Sequence, residues 1–269
     1  MFNLWRADEK ATEGRILYKH DNSLIAAIDL PAALGLLTRL PVAIDSNRAM
    51  GRGAASAWAY PLVGVVLGVI LAAATSVMLW LGVPSGIVAG LVLAGTVILT
   101  GAMHEDGLAD SADGLWGGWD KARRLEIMKD SHIGVYGVCA VGLSLLLRWL
   151  ALVVIVSMGA YWVAFIAAGV VSRAAMVVLM GMLPNARDGG LSRSVGRPPT
   201  GTVWVAVAIA IGFALLCGYP WVIMTAAIAA LCCGAIAHAK IGGQTGDILG
   251  ATQQVTEIVA LITIVVSIT

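Results

Sequence analysis

The sequence predicts an all-α, polytopic integral membrane helix bundle, with about seven transmembrane helices and an N-terminal interfacial helix. Of its 269 residues, 59% are hydrophobic and 12% are charged, whereas roughly 25% are charged in soluble domains. The mean hydropathy is +0.89. A water-soluble fold of this size could not cover so much apolar surface, because its outer face needs charge. The apolar residues also fall into stretches near the ~20 residues that cross a bilayer.

The N-terminal region differs from the rest of the chain. Residues 1–23 form a polar tail with four basic and four acidic residues and no apolar signal-peptide core, so we expect a cytoplasmic tail. Residues 24–40 are apolar but are interrupted by Asp29, Pro31 and Arg39, which favours an interfacial or re-entrant helix over a span. Residues 24–269 are expected to form a single membrane-embedded catalytic domain.

The remaining apolar stretches give the predicted spans and their orientation. The candidate spans are residues 55–81, 84–103, two within 135–183 that turn near residues 157–160, 202–217, 220–237 and 252–269. Three alternate turns, at 82–84, 157–160 and 217–220, contain no charged residue, while the other connections carry Arg or Lys. By the positive-inside rule, the charged connections lie in the cytoplasm and residue 269 lies on the far side.

Charge balance and cysteine spacing exclude other classes of protein. The 17 Lys and Arg residues are matched by 16 Asp and Glu residues, so the chain is not a basic nucleic-acid binder. Four cysteines occur in apolar stretches without CxxC spacing, which indicates small buried side chains and not a disulfide framework or a zinc site. They are Cys139, Cys217, Cys232 and Cys233.

An acidic segment after the second span predicts a metal site. Asp106, Asp110 and Asp113 are spaced four and three apart, so a continuing helix would place them on one face. Three adjacent carboxylates repel one another, and a divalent cation relieves that repulsion. Their hard oxygen atoms favour Mg²⁺, or Mn²⁺, over zinc. A solvated acidic loop, or a helix cap at Asp106, is the alternative. The Glu105 side chain would point about 100° away from the helix face that carries the three aspartates, so we do not count it as a ligand.

Two further loop segments carry candidate residues. Asp130 lies near the next span, and both Asp130 and His104 are candidate proton acceptors. A glycine-rich segment precedes the last span, where exposed backbone N–H groups would make an anion cradle. It reads Gly242-Gly243-Gln244-Thr245-Gly246-Asp247. It lacks the GK[ST] ending of a P-loop, and a flexible turn explains it equally well.

Three ionisable residues lie inside predicted spans: Arg148, Arg173 and Glu257. Each would cost several kcal/mol if it faced lipid, so we expect all three to face the interior of the bundle. There they either bind an anionic ligand or form a structural Arg–Glu pair.

Together the motifs resemble the cobalamin synthase (adenosylcobinamide-GDP ribazoletransferase) family from about residue 34 onward. The motifs are Thr38–Pro41, Tyr60–Gly64, HxDGLADxxDG at His104–Gly114, EIMxDS at Glu126–Ser131, Ser172–Arg173 and GGQTGDxLGA at Gly242–Ala251. The DGLAD and GGQTGD motifs are specific as a pair. Glu105 stands where the family often has an apolar residue.

The resemblance implies a Mg²⁺-dependent transferase of the bacterial cytoplasmic (inner) membrane, with its active site on the cytoplasmic side. It would join adenosylcobinamide-GDP to α-ribazole, or to α-ribazole 5′-phosphate, and release GMP. Its partners would be these two small molecules and membrane lipid, without nucleic acid. A homo-oligomer is left open. The implied substrate-binding residues are Arg148, Arg173, Glu257 and Gly242–Asp247.

Two other functions fit the sequence less well. CDP-alcohol phosphotransferases share an aspartate-rich helix, but Asp110 stands where their pattern has Arg, and Asp113 follows after three residues where four are required. A secondary transporter could use intramembrane Arg and Glu residues. It would need polar access from both faces, and the uncharged far-side turns disfavour it.

Overall fold

The computed structural model describes residues 23–269, which contain twelve α-helices and no β-strand. The helices are α1 Asp29–Leu37, α2 Ser46–Arg52, α3 Tyr60–Trp80, α4 Ser85–Thr100, α5 Met103–Gly117, α6 Lys121–Ile127, α7 Val135–Ser157, α8 Tyr161–Met182, α9 Leu191–Val195, α10 Thr200–Leu216, α11 Trp221–Ile241 and α12 Gly246–Ile268. A 3-10 helix, Gly53–Ala59, joins α2 to α3. The predicted polar tail, apart from Ser23, lies outside the described residues.

The prediction of an all-helical membrane protein is confirmed. Within residues 23–269, five helical segments are long and apolar enough to cross a bilayer, namely α7, α8, α11, α12 and Ser46–Trp80, which ends with α3. The bent pair α4–α5 would make a sixth. Helix α10 is equally apolar but has only 17 residues. The count of seven is therefore approximate. Helix α1 has only nine residues, fewer than a span needs.

Helix α8 forms the centre of the bundle and packs against α3, α10 and α12. The α3–α8 contact depends on two glycines that let the backbones approach closely. A Cβ atom on Gly64 would lie 2.2 Å from the carbonyl of Gly169.

Helix α1 is held against the bundle by the buried Asp29 carboxylate, which accepts hydrogen bonds from Arg52 Nε at 2.7 Å and from Trp58 Nε1 at 2.7 Å. These two hydrogen bonds stabilise the N-terminal region, which covers one side of the candidate site.

The acidic segment does not continue the second span. Helix α4 ends at Thr100, and α5 begins at Met103 after a bend of 87°. Gly101 and Ala102 both have positive φ, at 66° and 58°. Such a conformation ends a helix at a left-handed cap, and it favours glycine. Helix α5 therefore turns away from the α4 axis and packs across α12 and α7.

The last span begins earlier than the sequence predicted. Helix α12 begins at Gly246 and not at residue 252, and α11 extends to Ile241. Thr245 explains the earlier start, because its hydroxyl accepts the Ile248 N–H and caps the helix. The expected loop 238–251 is reduced to residues 242–245. As a result, Asp247 lies in the first turn of a helix.

Candidate active site at the crossing of α5 and α12

A cavity of about 210 Å³ lies where α5 crosses the beginning of α12. Its walls also include residues of α1, α3, α8 and α9. The polar side chains that line it are His104, Asp106, Arg187, Ser192 and Asp247. The first two come from the HxDGLADxxDG motif and the last from the GGQTGD segment. The two motifs that are far apart in sequence thus meet at one cavity.

Gly107 allows the two helices to cross this closely. A Cβ atom at Gly107 would lie 2.8 Å from the Asp247 carbonyl oxygen and 3.2 Å from Gly250 Cα. Any side chain there would push the helices apart. The glycine in the DGLAD segment therefore serves a packing role that brings Asp106 and Asp247 to the same cavity.

Arg187 supplies a cation beside these carboxylates. Its Nη2 atom lies 3.1 Å from Asp247 Oδ2, and both side chains are largely buried. The Nη1 atom of Arg187 is buried and makes no hydrogen bond. Thr245 donates a second hydrogen bond to Asp247 Oδ2, at 3.1 Å. Arg187 thus retains an unused donor in a site rich in carboxylates.

The environment of Asp110 shows how closely the acidic groups lie. Burial and, after it, the carboxylates of Asp106, Asp247 and Asp113 raise the pKa of Asp110 to about 7. Arg187 offsets part of this increase. Clustered oxygen ligands with excess negative charge fit a hard divalent cation. Within residues 23–269, no three acidic, histidine or cysteine side chains converge closely enough to form a complete metal site.

Asp113 has a different role in the structure from the other two aspartates. Its carboxylate accepts the N–H of Gly134 at 2.7 Å and the N–H of Gly137 at 2.9 Å. These groups belong to the N-terminus of α7, where N–H groups lack partners within the helix. A Cβ on Gly134 or Gly137 would lie within 2.5 Å of this carboxylate. Asp113 therefore caps α7 and fixes α5 against it.

The glycine-rich segment is held by hydrogen bonds to the chain before α9. The Gln244 N–H donates to Pro184 O at 2.8 Å, and the Ala186 N–H donates to Gln244 O at 2.9 Å. The buried Gln244 side chain also bonds to Asn185 and accepts from Ser192. A Cβ on Gly243 would lie 2.2 Å from Pro184 O, whereas one on Gly246 would meet open space. Only the Gly246–Asp247 end faces the cavity.

The two candidate proton acceptors lie in different places. His104 is 1% exposed, lines the cavity and has an Nε2 atom without a hydrogen-bond partner. Asp130 is exposed, and its Oδ1 lies 2.7 Å from His132 Nδ1. That contact lowers the pKa of Asp130. Asp130 does not line the cavity.

The ionisable residues inside the spans form a buried polar network. Arg148 is fully buried and donates to Glu105 Oε1 at 3.0 Å, with Glu257 Oε1 at 3.6 Å from its other terminal nitrogen. Gln254 also donates to Glu105 Oε1, at 3.2 Å. Arg173 is 2% exposed and donates to Gly169 O. The arginines and Glu257 thus lie in the interior of the bundle, as expected, and Arg148 pairs with carboxylates.

Sequence reasoning missed some of these contributors. The sequence excludes Glu105 as a metal ligand by its position on the helix but does not predict its contact with Arg148. The sequence gives no signal for Arg187 beyond its positive charge, because no spacing rule links it to Asp247 sixty residues later. Ser192 gave no signal at all. These contacts arise from the packing of distant segments.

Comparisons with known proteins identify the family of the chain. The model of the cobalamin-5-phosphate synthase family matches residues 29–265. An adenosylcobinamide-GDP ribazoletransferase of Bradyrhizobium diazoefficiens is 43% identical over 238 residues, covering 87% of this chain and 92% of its own. One of Mesorhizobium japonicum is 41% identical over 245 residues, covering 87% and 91%. No solved structure matches the chain. The matched residues include both motifs at the cavity, and the chain belongs to the cobalamin-5-phosphate synthase family.

Proposed function

We propose that this chain joins adenosylcobinamide-GDP to α-ribazole, or to α-ribazole 5′-phosphate, and releases GMP. This reaction forms the nucleotide loop of cobalamin. Family membership supports the activity. The observation that carries the assignment of the site is the meeting of Asp106, Asp247 and Arg187 at one cavity, with Asp110 close by.

The carboxylates of this cluster would hold the metal ion. Asp106, Asp110 and Asp247 offer the oxygen ligands that Mg²⁺ and Mn²⁺ prefer. Asp113, named with Asp106 and Asp110 in the sequence prediction, would support the site by fixing α5 to α7. A bound Mg²⁺ would neutralise the charge of the diphosphate. The substrate's own oxygens would complete a ligand set that the protein leaves incomplete.

The chain's other residues position the two reactants. Arg187 has a free Nη1 donor, and the N-terminus of α12 lies beside it at Gly246–Asp247, so both favour an anionic diphosphate. We assign His104 Nε2 as the proton acceptor because it lines the cavity, whereas Asp130 does not. A ribose oxygen bonds to the phosphorus that bears cobinamide, the bond from that phosphorus to GMP breaks, and GMP leaves with the electron pair.

The cellular setting follows the charge distribution of the sequence. We place the chain in the bacterial cytoplasmic membrane as a multi-pass protein, with the cavity towards the cytoplasm and lipid around its apolar faces. Arg187 lines the cavity, and α6, which carries basic residues, packs against α5 beside it. GMP would then be released directly into the cytoplasm, without transport across the membrane.

GMP release by purified protein tests the proposal. Protein in liposomes, given adenosylcobinamide-GDP, α-ribazole and Mg²⁺, should release one GMP for each new corrinoid, as counted by chromatography and mass spectrometry. Omission of α-ribazole is the first control, since a hydrolase would still release GMP. Asp106→Asn is the second. A folded wild-type protein that released no GMP would overturn the proposal. Transport of the substrate across the liposome membrane without GMP release would indicate a transporter.

A further inference from the structure

The cavity beside Asp106 is lined by two chemically different groups of side chains. The first group is the polar side chains of the proposed site. The second group is apolar and aromatic, and its members come from five different helices, namely Leu37, Tyr60, Met176, Met180, Val195 and Leu249. None of these six is more than 9% exposed. The chain therefore builds a buried apolar chamber directly beside the residues proposed to perform phosphoryl transfer.

The size of the cavity limits what can enter it. Its volume of about 210 Å³ is below the roughly 300–1,000 Å³ of pockets that enclose drug-sized ligands. A corrinoid ring is far larger and must remain outside. The chamber can take one end of one substrate, and the candidates are the two bases of the reaction: guanine of the GDP group and the dimethylbenzimidazole of α-ribazole.

Hydrogen-bonding capacity separates these two bases. Guanine carries an amide N–H, an amino group and a carbonyl on its outer edge. In an apolar chamber those groups would lose water without gaining partners, which disfavours binding. The base of α-ribazole has two methyl groups on its outer edge and no N–H group once it is joined to ribose. Its polar atoms lie on the ribose side, which would face His104 and Asp106.

The apolar residues also suit a flat aromatic ring. Tyr60 offers an aromatic surface for ring contacts. Met176 and Met180 carry polarisable, flexible side chains that adapt to a ligand and make favourable sulfur–aromatic contacts. Both methionines are almost fully buried, at 5% and 2% exposure. These features match a methylated aromatic base better than a phosphate or a sugar.

We propose that the apolar side chains of this cavity bind the base of α-ribazole and determine which base the enzyme accepts in that substrate. The inference rests on the proposed function for the identity of the substrate. The ribose then emerges between His104 and Asp106, where its hydroxyl meets the diphosphate of the second substrate. That second substrate approaches from the polar side, towards Arg187, with its corrinoid ring outside.

Direct binding tests this assignment without relying on turnover. Equilibrium binding of α-ribazole and of adenosylcobinamide-GDP is measured separately on wild-type protein and on Met180→Gln, which keeps the chain length but adds a polar amide. We expect Met180→Gln to raise the Kd of α-ribazole at least about tenfold, the effect of a small mismatch in an apolar pocket. The Kd of adenosylcobinamide-GDP should change less than about twofold. Met158→Gln, at the exposed end of α7, is the matched control and should change neither Kd.

The opposite pattern overturns the inference. If Met180→Gln weakens adenosylcobinamide-GDP and spares α-ribazole, or weakens both equally, the chamber does not select the ribazole base. Should Met180→Gln fail to fold, the wild-type protein still decides. It should bind α-ribazole at least about tenfold more tightly than the same riboside of adenine, because the amino group of adenine would be unpaired; equal affinities would overturn the proposal. Failure of wild-type protein to release GMP would count against the proposed function alone.

Discussion

Glu105 Oε1 lies 3.0 Å from Arg148 Nη2, and neither side chain is more than 8% exposed. The two residues connect α5 to α7. Glu105 stands between His104 and Asp106, which both line the cavity. The pair therefore fixes the rotation of α5 so that its neighbours face the site. An apolar residue at position 105 could not make this contact.

Breaking the buried pair should destabilise the protein. In Glu105→Gln, Arg148 keeps only its longer contact with Glu257 at 3.6 Å, so the cost should be about 3 kcal/mol, the lower end for an uncompensated buried charge. Glu257→Gln should cost less, since Glu257 makes the longer contact. Thermal unfolding in detergent measures both changes. The same substitution at exposed Glu126, which pairs with Arg123 at the surface, is the control and should cost less than about 1 kcal/mol. Equal stability of all three variants would show that the network contributes nothing.

Much of this architecture could be predicted from the sequence. Two of the helix boundaries, around the turn at residues 157–160, agree within a residue because α7 and α8 are uniform apolar runs. The bend before α5 was not predicted, since Ala102 adopts a positive φ, a conformation that an alanine in the sequence does not indicate. The pairing of Glu105 with Arg148 was missed for a related reason. Helical spacing describes one helix, whereas this contact depends on how two helices cross.

The aspartates of α5 should differ in their response to metal. Asp106→Asn removes a negative oxygen at the cavity, so turnover should fall at least about a hundredfold, as when one electrostatic contact to a transition state is lost. Excess Mn²⁺ should restore part of it by mass action. Asp113→Asn instead weakens the cap of α7 and should lower stability by roughly 0.5–2 kcal/mol. Added metal should not restore that stability. Turnover titrated against Mn²⁺, with melting measured in parallel, separates the two effects.

Both variants bear on the same question. If Asp113→Asn were stable and were rescued by Mn²⁺ as well as Asp106→Asn, Asp113 would be a metal ligand, as the sequence alone predicted. If neither variant lost turnover without added metal, there would be no metal site on α5.

Asp110 should make the metal-free protein sensitive to pH. Its pKa in the folded chain is about 7, above the ordinary value near 3.9 in an unfolded chain. Between these values the folded state binds more protons than the unfolded state, so this group's contribution to stability falls as pH rises from about 4 to about 7. Asp110→Asn cannot ionise and should remove this dependence. The amount by which the variant melts above wild type should therefore be larger at pH 8 than at pH 5, with both proteins in chelator. A parallel decline of the two proteins with pH would assign the effect to another group.

The orientation of the bundle can be tested with two serines at opposite ends of α7. Ser131 precedes this helix beside the basic residues of α6, and Ser157 is its last residue; both are exposed. We expect the Ser131 end to face the cytoplasm, because Lys and Arg residues are retained there. In a cysteine-free protein, Ser157→Cys should react with a membrane-impermeant thiol reagent in spheroplasts, while Ser131→Cys should react only after the membrane is permeabilised. Labelling is read as a mass shift of the purified protein. The reverse pattern would put the α5–α12 cavity on the far side, where cytoplasmic adenosylcobinamide-GDP could not reach it.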